Sequence, residues 1–240
     1  MYKRLWLVMI AATIIGLSGC SNSPSEIANA ESGENNGVIN ENKGISEEET
    51  VNHRPKFPTI DLFLPEENSE PRDKPITHIV LHFSSNAAVM PDNPYNVNDL
   101  YDTFKDYGVS THYLIDRKGQ VYQMVSEDRV AYHAGKGELK QFPHYKNQLN
   151  HYSIGIEIMA IGTREEMLPM MSDDTYDLIN TSNIGYTDAQ YEALSRVVND
   201  IVSRYPYVKM DRTHIIGHDE YAPGRKTDPG SLFKWENIGL

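Results

Sequence analysis

The chain has 240 residues, 39% of them hydrophobic, and carries 34 Asp and Glu against 22 Lys and Arg, a formal charge of −12. That balance, with no Lys/Arg cluster, excludes nucleic-acid binding, which needs a basic surface that releases counterions. A single cysteine, Cys20, excludes a disulfide framework and any multi-cysteine zinc site, so the folded part must rest on an ordinary core.

The first segments in chain order stand apart from that core. Lys3 and Arg4 precede an apolar run from Leu5 to Leu17, followed by Ser18, Gly19 and Cys20. The run falls short of the ~20 apolar residues that span a bilayer, and residues 1–19 read as a secretory signal. Residues 20–55 are rich in Ser, Asn, Gly and Glu and lack aromatic residues. Such a composition buries too little apolar surface to offset its ordering entropy, so a flexible acidic tether is expected there.

One folded unit is expected over residues 56–240. Residues 75–84 alternate as a strand, with His78, Val80 and His82 on one face and Ile79, Leu81 and Phe83 on the other. Val97, Leu100, Tyr101 and Phe104 are spaced for a helix that stops at Gly108. Residues 112–116 and 120–125 flank a short Arg-Lys-Gly turn and read as a hairpin. Residues 153–160 alternate again and place the carboxylate of Glu157 in mid-strand. Residues 162–185 read as an insertion or lid beside the sheet. Thr187-x-x-Gln190 reads as a capping box that opens a helix, whose apolar stripe runs from Tyr191 to Tyr205 and ends before Pro206. Strands alternating with helices predict an α/β fold, a central mixed β-sheet flanked by helices in a single domain.

Residues 214–230 hold two prolines and three glycines and read as a loop. The loop carries His218, Lys226 and Asp228, and His82 lies near the end of a distant strand. Together His82, His218 and Asp228 would make a two-histidine, one-carboxylate set, and three protein ligands with an open position are the hydrolytic zinc pattern. Nine histidines are scattered along the chain, and a lone histidine is ordinarily a surface or hydrogen-bonded core residue. Spacing by itself leaves both interpretations open.

The strings GHDEYAPGRKTDPG, ITHIVLHFSS, HYLIDRKGQVYQMV, AYHAG and SIGIEI together resemble the zinc-dependent N-acetylmuramoyl-L-alanine amidases. That family is shared by a phage lysozyme, bacterial anhydro-amidases and the peptidoglycan recognition proteins, and the resemblance runs in order from about residue 75 to 235. It implies that His82, His218 and Asp228 ligate zinc (Zn2+), that Glu157 is the general base and that Lys226 stabilises the oxyanion. The phage branch uses a tyrosine just before the histidine of the second strand. Here Thr111 precedes His112, and Tyr113 is one position off and expected to face the other way. His133 of AYHAG falls where the family has a histidine near the substrate. Asn86, close after His82, is placed to meet polar groups of sugar or peptide, and His112 is expected to be structural.

The implied activity is hydrolysis of the amide between N-acetylmuramic acid and L-alanine in peptidoglycan or muropeptides, by a monomer. A non-catalytic peptidoglycan-binding module of the same fold is the alternative. Zinc hydrolysis of another amide is a third, although no HExxH is present. Leu17-Ser18-Gly19-Cys20 resembles the bacterial lipobox. It implies lipidation of Cys20 and an extracytoplasmic protein anchored to the cell membrane, or to the outer membrane if the source is Gram-negative.

Overall fold

The computed structural model describes residues 54–240, so Cys20, the signal-like segment and nearly all of the expected tether lie outside the described residues. Chain order begins with β1 (Ile60–Asp61), β2 (Ser69–Pro71), β3 (His78–Ser84), α1 (Val97–Tyr107), β4 (Tyr113–Ile115), β5 (Val121–Gln123) and β6 (Arg129–Ala131). It continues with α2 (Leu149–Tyr152), β7 (Ser153–Met159), α3 (Arg164–Met167), α4 (Asp173–Asp177), α5 (Asp188–Arg204), β8 (Ile215–Gly217) and α6 (His218–Tyr221).

Six strands form one sheet in the order β1-β5-β4-β7-β3-β8, and β2 pairs with β6 in a separate two-stranded sheet. Within the large sheet only β4 and β5 run antiparallel, joined by the expected hairpin, so the sheet is mixed. The parallel strands β4, β7, β3 and β8 end at the same edge, and the carboxyl ends of parallel strands are where open α/β sheets form their sites.

The period-2 patterning of β3 and β7 divides their side chains between two faces. Ile79, Leu81, Ile154, Ile156 and Ile158 pack with Leu194, Val197, Val198 and Ile201 of α5. Each such buried side chain contributes roughly 1.5 to 3 kcal/mol. That helix is opened by the expected reciprocal cap, in which Gln190 N donates to Thr187 Oγ1 at 3.2 Å and Thr187 N donates to Gln190 Oε1 at 3.0 Å. On the other face Leu114 and Met159 pack with Leu100 and Phe104 of α1. That helix ends at Gly108, whose φ of +64° is a left-handed conformation that side-chain-bearing residues rarely adopt.

One expectation needs revision. Residues 214–230 do not begin as a loop: Ile215 and Ile216 extend the sheet along the open edge of β3, and His218 starts a helical turn. The strand is three residues long and buried on both faces, so it carries no alternation, and the turn residues of the following stretch masked it. Residues 162–185, expected as an insertion or lid beside the sheet, do lie against it, with Met167 and Ile179 set against Phe83, Ala160 and Ile161. Among the described residues, no helix is long and apolar enough to cross a membrane.

Candidate metal centre

His82 lies one full turn of the pleat before the end of β3. β8 pairs with β3 so that Gly217 stands opposite Leu81, and His218, the next residue, falls beside His82. The chain then makes the α6 turn and returns, and the Asp228 carbonyl accepts Asp219 N at 2.9 Å, which brings the Asp228 side chain back to the same point. All three are buried, at 1%, 2% and 8% exposure. Their facing atoms form a near-equilateral triangle: His82 Nδ1 to His218 Nδ1 2.9 Å, His82 Nδ1 to Asp228 Oδ2 2.8 Å, His218 Nδ1 to Asp228 Oδ2 3.0 Å. This is the one group of metal-ligating type that the described residues bring together.

The donor chemistry fits a cation. His218 Nε2 faces the Ala134 carbonyl oxygen at 2.9 Å, an atom that can only accept, so Nε2 carries the ring proton and Nδ1 presents a lone pair. Asp228 Oδ2 is a second acceptor 3.0 Å away. A single imidazole proton on His82 cannot satisfy three mutual contacts, whereas a divalent cation satisfies all of them. Two imidazoles and a carboxylate are a donor set that suits zinc. Burial, followed by the neighbouring His218, pushes the His82 imidazole down to about 4, so it is neutral at physiological pH.

Glu157 is the cross-strand neighbour of His82 in the parallel β3–β7 register. Its Oε2 is buried without a hydrogen-bond partner. Burial, then the negative charge of Asp228, pushes its carboxyl up to about 8, with Lys226 and the nearby Ser84 hydroxyl pulling the other way. A group so placed can take up or release a proton near neutral pH. Lys226 itself is exposed, and its charge reaches both Glu157 and His82.

The other residues singled out by sequence fall in different places. His133 Nδ1 sits 3.0 Å from His82 Nε2, with the rings edge to face at 5.1 Å, so its contact is with a candidate ligand. Its imidazole lies flat on β7, where a Cβ at Gly155 would come within 2.5 Å of it. Asn86 donates from Nδ2 to Asp99 Oδ2 at 2.9 Å and is held in its own loop. Tyr113 points to the α5 face, where its hydroxyl donates to Glu127, and Thr111 donates to the Gly155 carbonyl. His112 Nδ1 accepts Gly155 N at 3.0 Å, a purely structural bond.

Sequence reasoning missed Glu166. Its Oε1 accepts Ser231 N at 2.6 Å, and its carbonyl accepts the Thr227 hydroxyl at 3.0 Å, so it clamps the chain on both sides of Asp228. Its own anchor is a capping box with Thr163, and the Thr-x-x-Glu spacing was a usable signal. The Ala134 carbonyl had no side-chain signal at all.

Comparison with known proteins adds a family. The profile for N-acetylmuramoyl-L-alanine amidase matches residues 72–231. The 1,6-anhydro-N-acetylmuramyl-L-alanine amidase AmpD of Citrobacter freundii is 37% identical over 127 residues, covering 53% of this chain and 54% of AmpD. The N-acetylmuramoyl-L-alanine amidase AmiD of Escherichia coli K12 is 30% identical over 147 residues, covering 57% of this chain and 45% of AmiD. The chain thus spans about half the length of the curated relatives it matches. A crystal structure of a selenomethionine AmpD derivative superposes with a TM-score of 0.52 at 27% identity, covering 75% of this chain and 92% of that one.

Proposed function

Because the chain belongs to the N-acetylmuramoyl-L-alanine amidase family, we propose that it is a zinc-dependent enzyme hydrolysing the amide between N-acetylmuramic acid and L-alanine in peptidoglycan or muropeptides. The observation that carries this reading is the buried triangle of His82, His218 and Asp228 beside a carboxylate oxygen, Glu157 Oε2, that has no partner of its own. His82 Nδ1, His218 Nδ1 and Asp228 Oδ2 would hold the zinc. When bound, zinc supplies Lewis acidity, polarising the scissile carbonyl and making water nucleophilic at neutral pH, and its charge favours the ionised form of nearby Glu157.

The protein's own groups then move the protons. Glu157 Oε2 takes the proton of the attacking water and passes it to the leaving nitrogen of L-alanine, so that the C–N bond breaks with a neutral amine departing. Lys226 Nζ offers positive charge to the oxyanion of the tetrahedral intermediate, a contribution worth ~10² to 10³ in rate for one such donor. Glu166 keeps the Asp228 segment in place through Thr227 and Ser231.

The lipobox-like Leu17–Cys20 motif supports a lipid anchor on Cys20 and an extracytoplasmic location, with residues 20–55 as tether. Loss of fatty-acid labelling in Cys20→Ser tests that part. The activity is tested by incubating the full chain with insoluble peptidoglycan and with anhydro-muropeptides, with chelator and with zinc restored, and identifying the products by mass spectrometry. Stem peptides with a free N-terminal alanine, lost on chelation and regained with zinc, are expected. Wall binding with stoichiometric zinc and no release would replace the enzyme with a binding module.

A further inference from the structure

We propose that His133 and Ser153 are positioning residues, forming a hydrogen-bond relay that locks His82 in the tautomer whose Nδ1 lone pair faces His218 and Asp228. The purpose of the relay rests on the zinc reading above, while its geometry does not.

Its direction follows from one atom that can only accept. The Leu149 carbonyl oxygen lies 2.6 Å from Ser153 Oγ, across the junction of α2 and β7. Without a proton between them, that contact would set lone pair against lone pair, so the Ser153 hydroxyl donates to Leu149. Its single proton is then spent, and toward His133 Nε2, 3.1 Å away, Ser153 Oγ can only accept. His133 therefore carries its proton on Nε2 and bares Nδ1. That bare nitrogen lies 3.0 Å from His82 Nε2, so His82 donates there and its remaining nitrogen, Nδ1, is left as a lone pair at the metal triangle.

The frame around the relay is built to hold it. Ser153 is fully buried. Asn150 Oδ1 accepts the backbone N–H of both His133, at 3.2 Å, and Ala134, at 2.7 Å. Gly155 leaves the space that the His133 ring fills. The next residue performs the matching task for the second ligand, because the Ala134 carbonyl takes the Nε2 proton of His218. Two consecutive residues, one by side chain and one by backbone, thus set the tautomers of both histidines. Outer partners of this kind change metal affinity ~10- to 100-fold when removed.

The test uses the full chain, measuring zinc affinity by competition with a chromophoric chelator and reading imidazole tautomers from proton–nitrogen correlation spectra of the metal-free protein. His133→Phe keeps a ring but removes the acceptor, and is expected to weaken zinc binding ~10- to 100-fold. His133→Gln returns an acceptor oxygen and should recover most of that loss. Ser153→Ala leaves His133 in contact but frees its tautomer, and should give a mixed His82 signal with zinc binding several-fold weaker. Wild-type zinc affinity in both His133→Phe and Ser153→Ala overturns the relay, as does Gln binding no better than Phe. A wild-type His82 protonated on Nδ1 overturns it too. If His133→Phe does not fold, Ser153→Ala decides the matter. A wild-type chain with His82 in the expected tautomer that takes up no zinc would defeat the zinc reading and leave the relay standing.

Discussion

Glu127 and Glu157 are both carboxylates withdrawn from solvent near the same sheet, and they differ in what faces them. Glu127, on the α5 side, accepts from the hydroxyls of Tyr113 and Tyr205 at 2.6 Å each and from both terminal nitrogens of Arg204. Arg204 in turn donates from Nε to Asp200 at 2.8 Å. Glu157, on the other face, has one oxygen with no partner and an acidic neighbour in Asp228. A saturated buried charge staples elements together; an unsaturated one is held ready to bind a proton or a reacting atom. The first cluster ties the end of α5 to β4 and the segment after β5, and the second stands at the carboxyl edge of the parallel strands, beside His82 of the metal triangle.

The contrast can be broken most forcefully at Glu157. Glu157→Gln keeps the shape but removes the base, and kcat on a muropeptide should fall by ~10² to 10⁴ while bound zinc, measured by elemental analysis, is unchanged. A near-normal rate would remove Glu157 from the mechanism. At the other cluster the expected loss is in stability. Glu127→Gln removes the negative charge that faces the buried Arg204 guanidinium and should cost ~3 to 5 kcal/mol in urea unfolding, with zinc affinity preserved. If zinc affinity fell with it, the two regions would not be independent.

Lys226→Ala probes the edge of the site. A loss of ~10² to 10³ in kcat with little change in KM is expected, since the interaction forms with the oxyanion. Its exposed position predicts an unfolding free energy within ~0.5 kcal/mol of the parent.

The smallest effect concerns pH. The folded-state value of Glu157, about 8, lies above that of an unfolded glutamate. The unfolded chain therefore binds fewer protons between ~pH 4.3 and 8, and the metal-free protein loses stability as pH rises through that window. Glu157→Gln removes this loss. The variant should match the parent near pH 4 and exceed it by ~1 to 3 kcal/mol near pH 8 in thermal or urea unfolding. A constant difference across the range would mean that Glu157 titrates normally.

Much of the architecture was legible because it rests on periodicity. Alternation in residues 78–84 and 153–159, the Thr187–Gln190 cap and the stripe of α5 are local patterns that a linear reading can detect. Short elements without a turn signal of their own were not legible. β8 has no alternation because both its faces are buried, and β1 and β2 are too brief to carry a period. At the site, residue type and resemblance pointed to His82, His218, Asp228 and Glu157, since few side chains can ligate a metal or carry a proton. Asn86 and His133 were harder to place, because polarity alone does not say which neighbour will satisfy it.

By itself, then, the sequence determined the strand and helix periods, the mixed α/β class, the family resemblance and the set of residues able to do the chemistry. Only the tertiary structure decided which atoms meet. The β3–β8 register sets His218 beside His82, the return of the chain after α6 brings in Asp228, and a backbone carbonyl at Ala134 fixes a ring nitrogen. The physical reason is that periodicity is a property of neighbours along the chain, whereas hydrogen-bond direction, burial and an unpaired carboxylate oxygen depend on residues brought together from far apart in sequence.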